Sequence, residues 1–264
     1  MFKFFNKRER SVTGEQDVRR IDPIIQNKAE SLLDFYKQNQ ELFQGYFDGE
    51  HNQQTKKTLI RDVYDTIGYT KPTQTTKPEK SSLQLYRGLR ADTGSDILKY
   101  TDDFVKGEVV FGKKASLHGT GIYMTTNPDI ANKYAQYDNS FGSVLSCQVK
   151  NDINIVNDDK LRELQGDVIQ YLRDEYSTDQ GIQQFTTLLD DNGLFAALSG
   201  FDAIDVPNRE FVLLLNRDMV FVDEVSYYMA QEINDIVYTQ ETTEMSVDNN
   251  IETQTDDVEL DINR

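Results

Sequence analysis

An arginine followed by a glycine closes the first strand-like stretch of the chain, LQLYRG at residues 83–88. The alternation of leucines with polar residues predicts a strand that ends at Arg87. One interpretation is a strand-edge arginine paired with one of the many carboxylates of the chain. The other is a clamp for an anionic ligand, since a guanidinium binds phosphate through two hydrogen bonds. Gly88 would then let the ligand approach the backbone N–H and C=O groups.

A glutamate begins the most apolar strand-like stretch, REFVLLLN at residues 209–216. Strand alternation places Glu210 in register with Val212 and Leu214, so its carboxylate is expected to face the same way as core residues. A carboxylate in that position is costly unless it has a partner or a task. The alternative is an exposed carboxylate at the start of a strand, and the sequence leaves both open.

Between these two stretches lies HGTGIYMTTNP, which combines a glycine-rich turn, a strand and a helix start. The glycines predict a turn, because the lysine that a phosphate loop needs is missing. His118 has no second ligand at metal-binding spacing, and no GxSxG nucleophile motif occurs. Asn127 and Pro128 suit the cap and first position of a helix. Tyr123 and Tyr134, in the strand and the helix, are either core residues or neighbours in one cleft.

The elements that must hold these residues mix helix and strand. Apolar spacings of three, four and seven predict helices over 24–47 and 55–67, followed by a linker rich in Thr, Lys and Pro over 69–82. After the first strand come a helix from about Asp96, with Ser95 as its cap, and further strands around a helical stretch at 158–199. The closing strands are FDAIDV, REFVLLLN and MVFVDEV. Strands with interspersed helices outside βαβ alternation indicate the α+β class.

Composition narrows the possible functions. The chain of 264 residues has a net charge of −17 and a pI of about 4.5, which argues against a nucleic-acid groove. Cys147 is the only cysteine, so neither an intrachain disulfide nor a multi-cysteine zinc site is expected. Residues 240–264 carry eight carboxylates and one arginine, and their composition predicts a disordered tail. With no long apolar run and no secretory signal, we expect action in the cytoplasm and no membrane partner.

In this order, LYRG, GTGIYMTTNPDIANKYA and GFDAIDVPNREFVLLLN resemble the NAD-dependent ADP-ribosyltransferase superfamily, over roughly residues 83 to 222. The middle stretch is similar to the poly-ADP-ribose-polymerase-like branch, whereas the arginine of the first stretch is similar to the bacterial toxin and phage branch. The resemblance implies a split antiparallel sheet with an N-terminal helical extension. Together with the helical pattern, the linker and the acidic composition, it divides the chain into an arm, helical unit and linker (1–80), a catalytic domain (81–230) and the acidic tail (231–264).

The resemblance also implies roles for individual residues. Glu210 would bind the 2′-hydroxyl of the nicotinamide ribose and stabilise positive charge on that sugar. Arg87 would bind a phosphate or ribose oxygen of NAD, and Gly88 the nicotinamide amide. Tyr123 and Tyr134 would flank the nicotinamide ring. Thr125 and Thr126 lie where the toxin-like branch carries a run of hydroxyl residues. Asn208 occupies the position two residues before Glu210.

Asn208 stands where relatives that modify arginine usually carry a second glutamate. An amide can orient an acceptor but cannot act as its base, so the modified residue stays open. The resemblance implies NAD as co-substrate, no metal, and a protein target in a host cell, as for a phage or bacterial effector. Two alternatives remain: an NAD glycohydrolase on the same fold, and a non-enzymatic binding or virion protein whose pocket is inactive.

Overall fold

The computed structural model describes residues 22–49, 52–70, 83–108, 111, 118–137 and 141–228, without the side chain of Asn208. The predicted arm, the linker apart from Tyr69 and Thr70, and the acidic tail lie outside these ranges. No helix in the described ranges is long and apolar enough to cross a membrane.

Both predicted N-terminal helices are confirmed, but the first is divided in two. Helix α1 (Pro23–Gln38) ends at Asn39, and α2 (Gln40–Phe47) starts directly after that residue. Helix α3 (Gln53–Thr66) begins at Asn52, whose side chain accepts hydrogen bonds from two backbone N–H groups of the first turn. Asn52 thereby satisfies donors that every helix start leaves exposed, and this fixes where α3 begins.

Seven strands form one mixed sheet, which confirms the α+β class. They are β1 (Gln84–Ala91), β2 (Ile122–Thr125), β3 (Phe141–Val149), β4 (Ile155–Asn157), β5 (Ala203–Val206), β6 (Phe211–Leu214) and β7 (Val220–Tyr228). Their order across the sheet is β4-β5-β6-β2-β1-β3-β7. Every neighbouring pair is antiparallel except β4 with β5, which run parallel. The expectation of a purely antiparallel sheet is therefore wrong at this edge, where the sequence did not indicate β4 at all.

Five further helices follow β1 in the chain. They are α4 (Gly94–Val105), α5 (Pro128–Ala135), α6 (Asp158–Glu175), α7 (Gln180–Leu188) and α8 (Asn192–Leu198). Thr93 caps α4 through its side chain, so the prediction of Ser95 as the cap is wrong. The predicted cap of α5 is confirmed, since Asn127 accepts a hydrogen bond from the backbone N–H of Asp129 and Pro128 occupies the first turn.

The largest hydrophobic cluster joins the N-terminal helices to the rest of the protein. Apolar residues of α1–α3 and of α6–α8 pack in one cluster against the face of the sheet that carries Ile204 and Leu213. Within it, the rings of Tyr36 and Phe185 stack with centroids 4.8 Å apart. The predicted boundary near residue 81 thus separates two parts of the sequence that share a hydrophobic core.

The opposite face of the sheet has its own cluster. Alternation along β2 and β6 directs Met124 and Val212 to this face, where they meet Leu85 and Leu145. Phe104, near the end of α4, completes the cluster and is 1% exposed. Helix α4 therefore covers one face of the sheet, and the other helices cover the opposite face.

Candidate functional site

The sheet consists of two halves that meet at a single residue pair. Strand β1 pairs with β3 along its whole length but with β2 only at Tyr86 and Thr125. One half is β4-β5-β6-β2 and the other is β1-β3-β7. On the face opposite α4, the halves carry separate clusters, one under α1–α3 and α6–α8 and the other under α5. We call the boundary between β1 and β2, where the two strands pair only at Tyr86 and Thr125, the split.

Glu210 lies directly before β6 and close to the end of β2. Residues Pro207–Arg209 form a short 3₁₀ turn, and Glu210 follows it with φ of 54° and ψ of 31°. The prediction that Glu210 alternates with Val212 is therefore wrong, because this left-handed residue interrupts the strand. Its side chain is exposed, and its Oε2 accepts a long hydrogen bond of 3.5 Å from Nδ2 of Asn127.

The backbone of Glu210 is strained. It is the only residue other than glycine with a positive φ in the described ranges. A left-handed conformation costs a residue with a side chain about 1–2 kcal/mol. Such strain persists only where surrounding structure enforces it, and it is common at functional sites. Here the β5–β6 hairpin enforces it and holds an exposed carboxylate beside the end of β2.

Arg87 lies inside β1, which continues past it to Ala91, so the prediction that the strand ends at Arg87 is wrong. The side chain is buried, and its guanidinium lies 4.6 Å over the ring of Phe104. Burial is the main cause that lowers the pKa of the Arg87 guanidinium to about 10. Cys147 and Tyr134 act to raise this pKa, and the positive charge of Arg217 acts to lower it. The group stays cationic at neutral pH. The ring of Phe104 places the Arg87 side chain on the face of the sheet that α4 covers, opposite the face that carries α5.

Arg217 supports this arrangement, and sequence reasoning missed it. The residue is 2% exposed although NRD after a strand is typical of a surface turn. Its Nη1 donates to the carbonyl of Val220 and its Nη2 to the carbonyl of Phe104, both at 2.7 Å. Its guanidinium also lies 4.4 Å from the centroid of the Phe104 ring. Arg217 thus fixes the ring on which Arg87 packs.

Arg217→Met is expected to lower the free energy of unfolding by about 2–3 kcal/mol, because two buried carbonyls lose their donors. Urea denaturation measures this. Lys106→Met is the control, since Lys106 makes an exposed ion pair with Asp102 and should change stability by less than about 0.5 kcal/mol. Equal stability of Arg217→Met and the wild type would contradict the structural role.

Gly88 has a packing reason to lack a side chain. A Cβ atom at this position would lie 2.3 Å from the carbonyl oxygen of Ala131 in α5. Gly142, on the neighbouring strand β3, is equally constrained, with 2.0 Å to the carbonyl oxygen of Ala135. The two glycines let α5 lie directly on β1 and β3. The role of Gly88 toward nicotinamide stays a prediction beside this independent cause.

The two predicted tyrosines lie in different surroundings. The ring of Tyr123 packs edge-on against Phe211 at 6.2 Å, and its hydroxyl donates to the carbonyl of Gly119 at 3.3 Å. Tyr134 lies on the exposed side of α5, with the guanidinium of Arg90 5.1 Å from its ring centroid. Tyr134 therefore contacts Arg90, whereas Tyr123 is anchored in β2 by the turn that precedes the strand.

The hydroxyl run ends β2 beside Glu210. Thr125 is buried, and its Oγ1 accepts a hydrogen bond from the backbone N–H of Asn127 at 3.0 Å. Thr126 is exposed and directly follows β2, whose last pair joins Thr125 to Phe211, the residue after Glu210. The structure therefore brings Thr125, Asn127 and Glu210 together at one end of β2. Asn127 was predicted only as a helix cap, and its contact with Glu210 had no sequence signal.

The HGTG stretch is a turn, as predicted. Gly119 has φ of +98°, and a Cβ atom there would lie 2.2 Å from the backbone nitrogen of Gly193 in α8. Asp191 accepts hydrogen bonds from the N–H and the hydroxyl of Thr120, both at 2.8 Å. His118 Nδ1 lies 3.4 Å from Asp158 Oδ2 at the start of α6. These contacts fasten the turn to two helices and set the position of Tyr123.

Within the described ranges, no group of three His, Cys, Asp or Glu side chains is arranged to hold a metal ion. Cys147 is buried in β3, and burial raises the pKa of its thiol to about 12, so it is not a reactive thiolate. No family model, no curated protein and no solved structure matches this chain.

Proposed function

We propose that this protein is an NAD-dependent mono-ADP-ribosyltransferase that passes ADP-ribose to a protein side chain. The observation that carries the proposal is Glu210, a strained and exposed carboxylate held beside the end of β2. Strand β1, with Arg87 and Gly88, is the second strand from β6, at a distance of about 10 Å. This spacing suits a ligand that reaches from a carboxylate to a cation across the split.

The proposed chemistry needs a negative group near the ribose and a positive group near the phosphates. As the bond between nicotinamide and the ribose C1′ breaks, its electron pair leaves with nicotinamide and the sugar becomes oxocarbenium-like. Glu210 would accept a hydrogen bond from the 2′-hydroxyl and stabilise this positive charge. Arg87, cationic at neutral pH, would attract the pyrophosphate. A nucleophile of the acceptor protein then attacks C1′ and loses its proton.

Other residues would support these two. Asn127 holds the carboxylate of Glu210 through its amide. Phe104 and Arg217 hold Arg87. Tyr134 and Gly88 border the split on the α5 side, where the nicotinamide would lie. The two-halved sheet fits an ADP-ribosyltransferase-like split sheet, and we place the reaction in the cytoplasm of a host cell.

The test is incubation of the full chain with NAD labelled in its adenine ring, together with a cell extract. We expect nicotinamide release and label on protein. Release of nicotinamide with free ADP-ribose as the only labelled product would show an NAD glycohydrolase instead. The absence of nicotinamide release from correctly folded protein would reject both enzymatic functions and favour a binding protein.

A further inference from the structure

An arginine, a lysine and two tyrosines form an exposed surface where β1 borders the split. The guanidinium of Arg90 lies 5.1 Å from the ring centroids of both Tyr134 and Tyr137. The two tyrosines are 54% and 56% exposed, and Lys133 is exposed in α5. We call these four residues the aromatic shelf. Within the described ranges no carboxylate forms an ion pair with either cation, so the shelf presents two positive charges to a further partner.

The described part of the chain ends beside this shelf. Arg90 in β1 pairs with Gly142 in β3, and Gly142 pairs with Tyr228 in β7, the last residue that the structure describes. Two strand spacings put the Cα atoms of Arg90 and Tyr228 about 10 Å apart. Residues that pair directly across strands share a face, and the Tyr228 hydroxyl donates to Asn132 in α5. The chain therefore leaves Tyr228 on the face of the sheet that carries the shelf.

The sequence that follows Tyr228 is complementary to the shelf in charge. Residues 229–264 carry ten carboxylates and one arginine. An extended residue spans about 3.3 Å, so Glu232 is the first carboxylate that can reach Arg90, and Asp235 follows three residues later. Ile233, between these two carboxylates, can pack on an exposed tyrosine ring. The first ten residues after Tyr228 thus combine the charge and the apolar groups that the shelf lacks.

We propose that residues 229–238, the return segment, dock on the aromatic shelf of the same chain, with Glu232 and Asp235 paired with its two cations. A segment of the same chain has an advantage over other acidic partners, because a short connection gives an effective concentration of about millimolar. This docking does not rest on the proposed function. Its consequence does, since the return segment would cover Tyr134 at the split and compete there with the ligand.

The test is hydrogen exchange of the full chain, followed by mass spectrometry. In the wild type we expect the amides of residues 230–238 to exchange about tenfold slower than their sequence-dependent intrinsic rate, whereas those of 250–263 exchange at that rate. Arg90→Glu should abolish this protection. One molar salt should abolish it too, because the Debye length falls from about 10 Å at 0.1 M to about 3 Å. Arg61→Glu, at an exposed arginine of α3, is the matched control and should leave the protection unchanged.

A charge exchange excludes an indirect effect on folding. Arg90→Glu combined with Glu232→Arg and Asp235→Arg reverses the charges on both sides of the contact and should restore the slow exchange. Restoration supports the docking, because a variant that only damaged the sheet would not recover. Failure to restore it, in protein with wild-type circular dichroism, overturns the pairing.

Three further outcomes overturn the proposal. Amides of the return segment that exchange at the intrinsic rate in the wild type show that it does not dock. Protection that survives Arg90→Glu places the segment elsewhere, for example along the edge of β7. Protection that is lost on dilution makes a second copy of the chain the occupant.

Nicotinamide release tests the consequence separately. If the proposed function holds, Arg90→Glu should release nicotinamide up to about tenfold faster at low NAD, because the ligand no longer competes with the return segment. Slow exchange in a protein that releases no nicotinamide supports the docking and rejects only the proposed function. Nicotinamide release with unprotected amides rejects only the docking.

Discussion

Glu210→Gln is expected to lower the rate of nicotinamide release at least about 100-fold, comparable to the loss of one electrostatic contact to a transition state. The amide has the shape of the carboxylate but lacks the negative charge that stabilises an oxocarbenium-like ribose. Substrate binding should change less than turnover, since the charge on the sugar develops only as the bond breaks. Measurement of nicotinamide release at saturating and at low NAD separates the two effects.

The control for Glu210→Gln is Glu224→Gln, which removes an exposed carboxylate from β7. This variant should release nicotinamide at the wild-type rate. Far-ultraviolet circular dichroism and urea denaturation confirm that both variants are folded. If Glu210→Gln keeps the wild-type rate, Glu210 is not the catalytic carboxylate and the proposed reaction loses its main support.

Glu210→Gly tests whether strain at this position serves function. Glycine adopts the observed φ of 54° without the steric cost of a side chain, although it gains entropy in the unfolded chain. We therefore expect the free energy of unfolding to rise by about 0.5–1 kcal/mol, while nicotinamide release is lost. A variant that is both less stable and inactive would show that Glu210 stabilises the hairpin through its side-chain contact with Asn127.

Gly88→Ala and Gly142→Ala are expected to be the most destabilising single-methyl changes in the sheet. Each added Cβ would lie 2.3 or 2.0 Å from a backbone oxygen of α5, so the helix must move away from β1 and β3. Backbone atoms cannot yield as a flexible side chain can. We expect each variant to lose about 3 kcal/mol of unfolding free energy, as overpacking in a rigid core does. Urea denaturation at equilibrium measures the loss.

Gly166→Ala is the matched control for the two glycines. A Cβ atom there meets no atom within 4 Å, and the position lies inside α6. Alanine favours helix over glycine by about 1 kcal/mol, so this variant should be more stable than the wild type. A Gly88→Ala protein with wild-type stability and no nicotinamide release would mean that Gly88 is required by the ligand and not by α5.

Local signals in the sequence predicted most of the elements correctly. Asn127 and Pro128 at the start of α5 are an example, because capping depends on a few neighbouring backbone groups. The helical pattern over 158–199 is another, since the apolar residues of α6–α8 follow the helical repeat. The short strand β4 had no such signal. Its three residues become a strand only by pairing with β5, some fifty residues later.

The residues of the candidate site also differ in how far the sequence could predict them. The sequence, through its resemblance to the ADP-ribosyltransferase superfamily, indicated Arg87, Gly88, Tyr134 and Glu210 as candidate site residues. It assigned Glu210 to the wrong backbone conformation, since alternation assumes that the strand begins before it. Only the tertiary structure decided that the hairpin bends Glu210 into the left-handed region and that Asn127 meets it.

Burial and neighbourhood are the properties that the sequence could not supply. Arg217 resembles a turn residue in NRD, yet it is enclosed because α4 and the start of β7 offer carbonyls to its guanidinium. Gly88 resembles a ligand contact, yet α5 already needs its missing side chain. Residue type and local spacing act over a few residues, whereas these contacts join segments that only packing brings together. The sequence therefore determined most of the elements, whereas the tertiary structure decided the formation of β4 and which side chains meet.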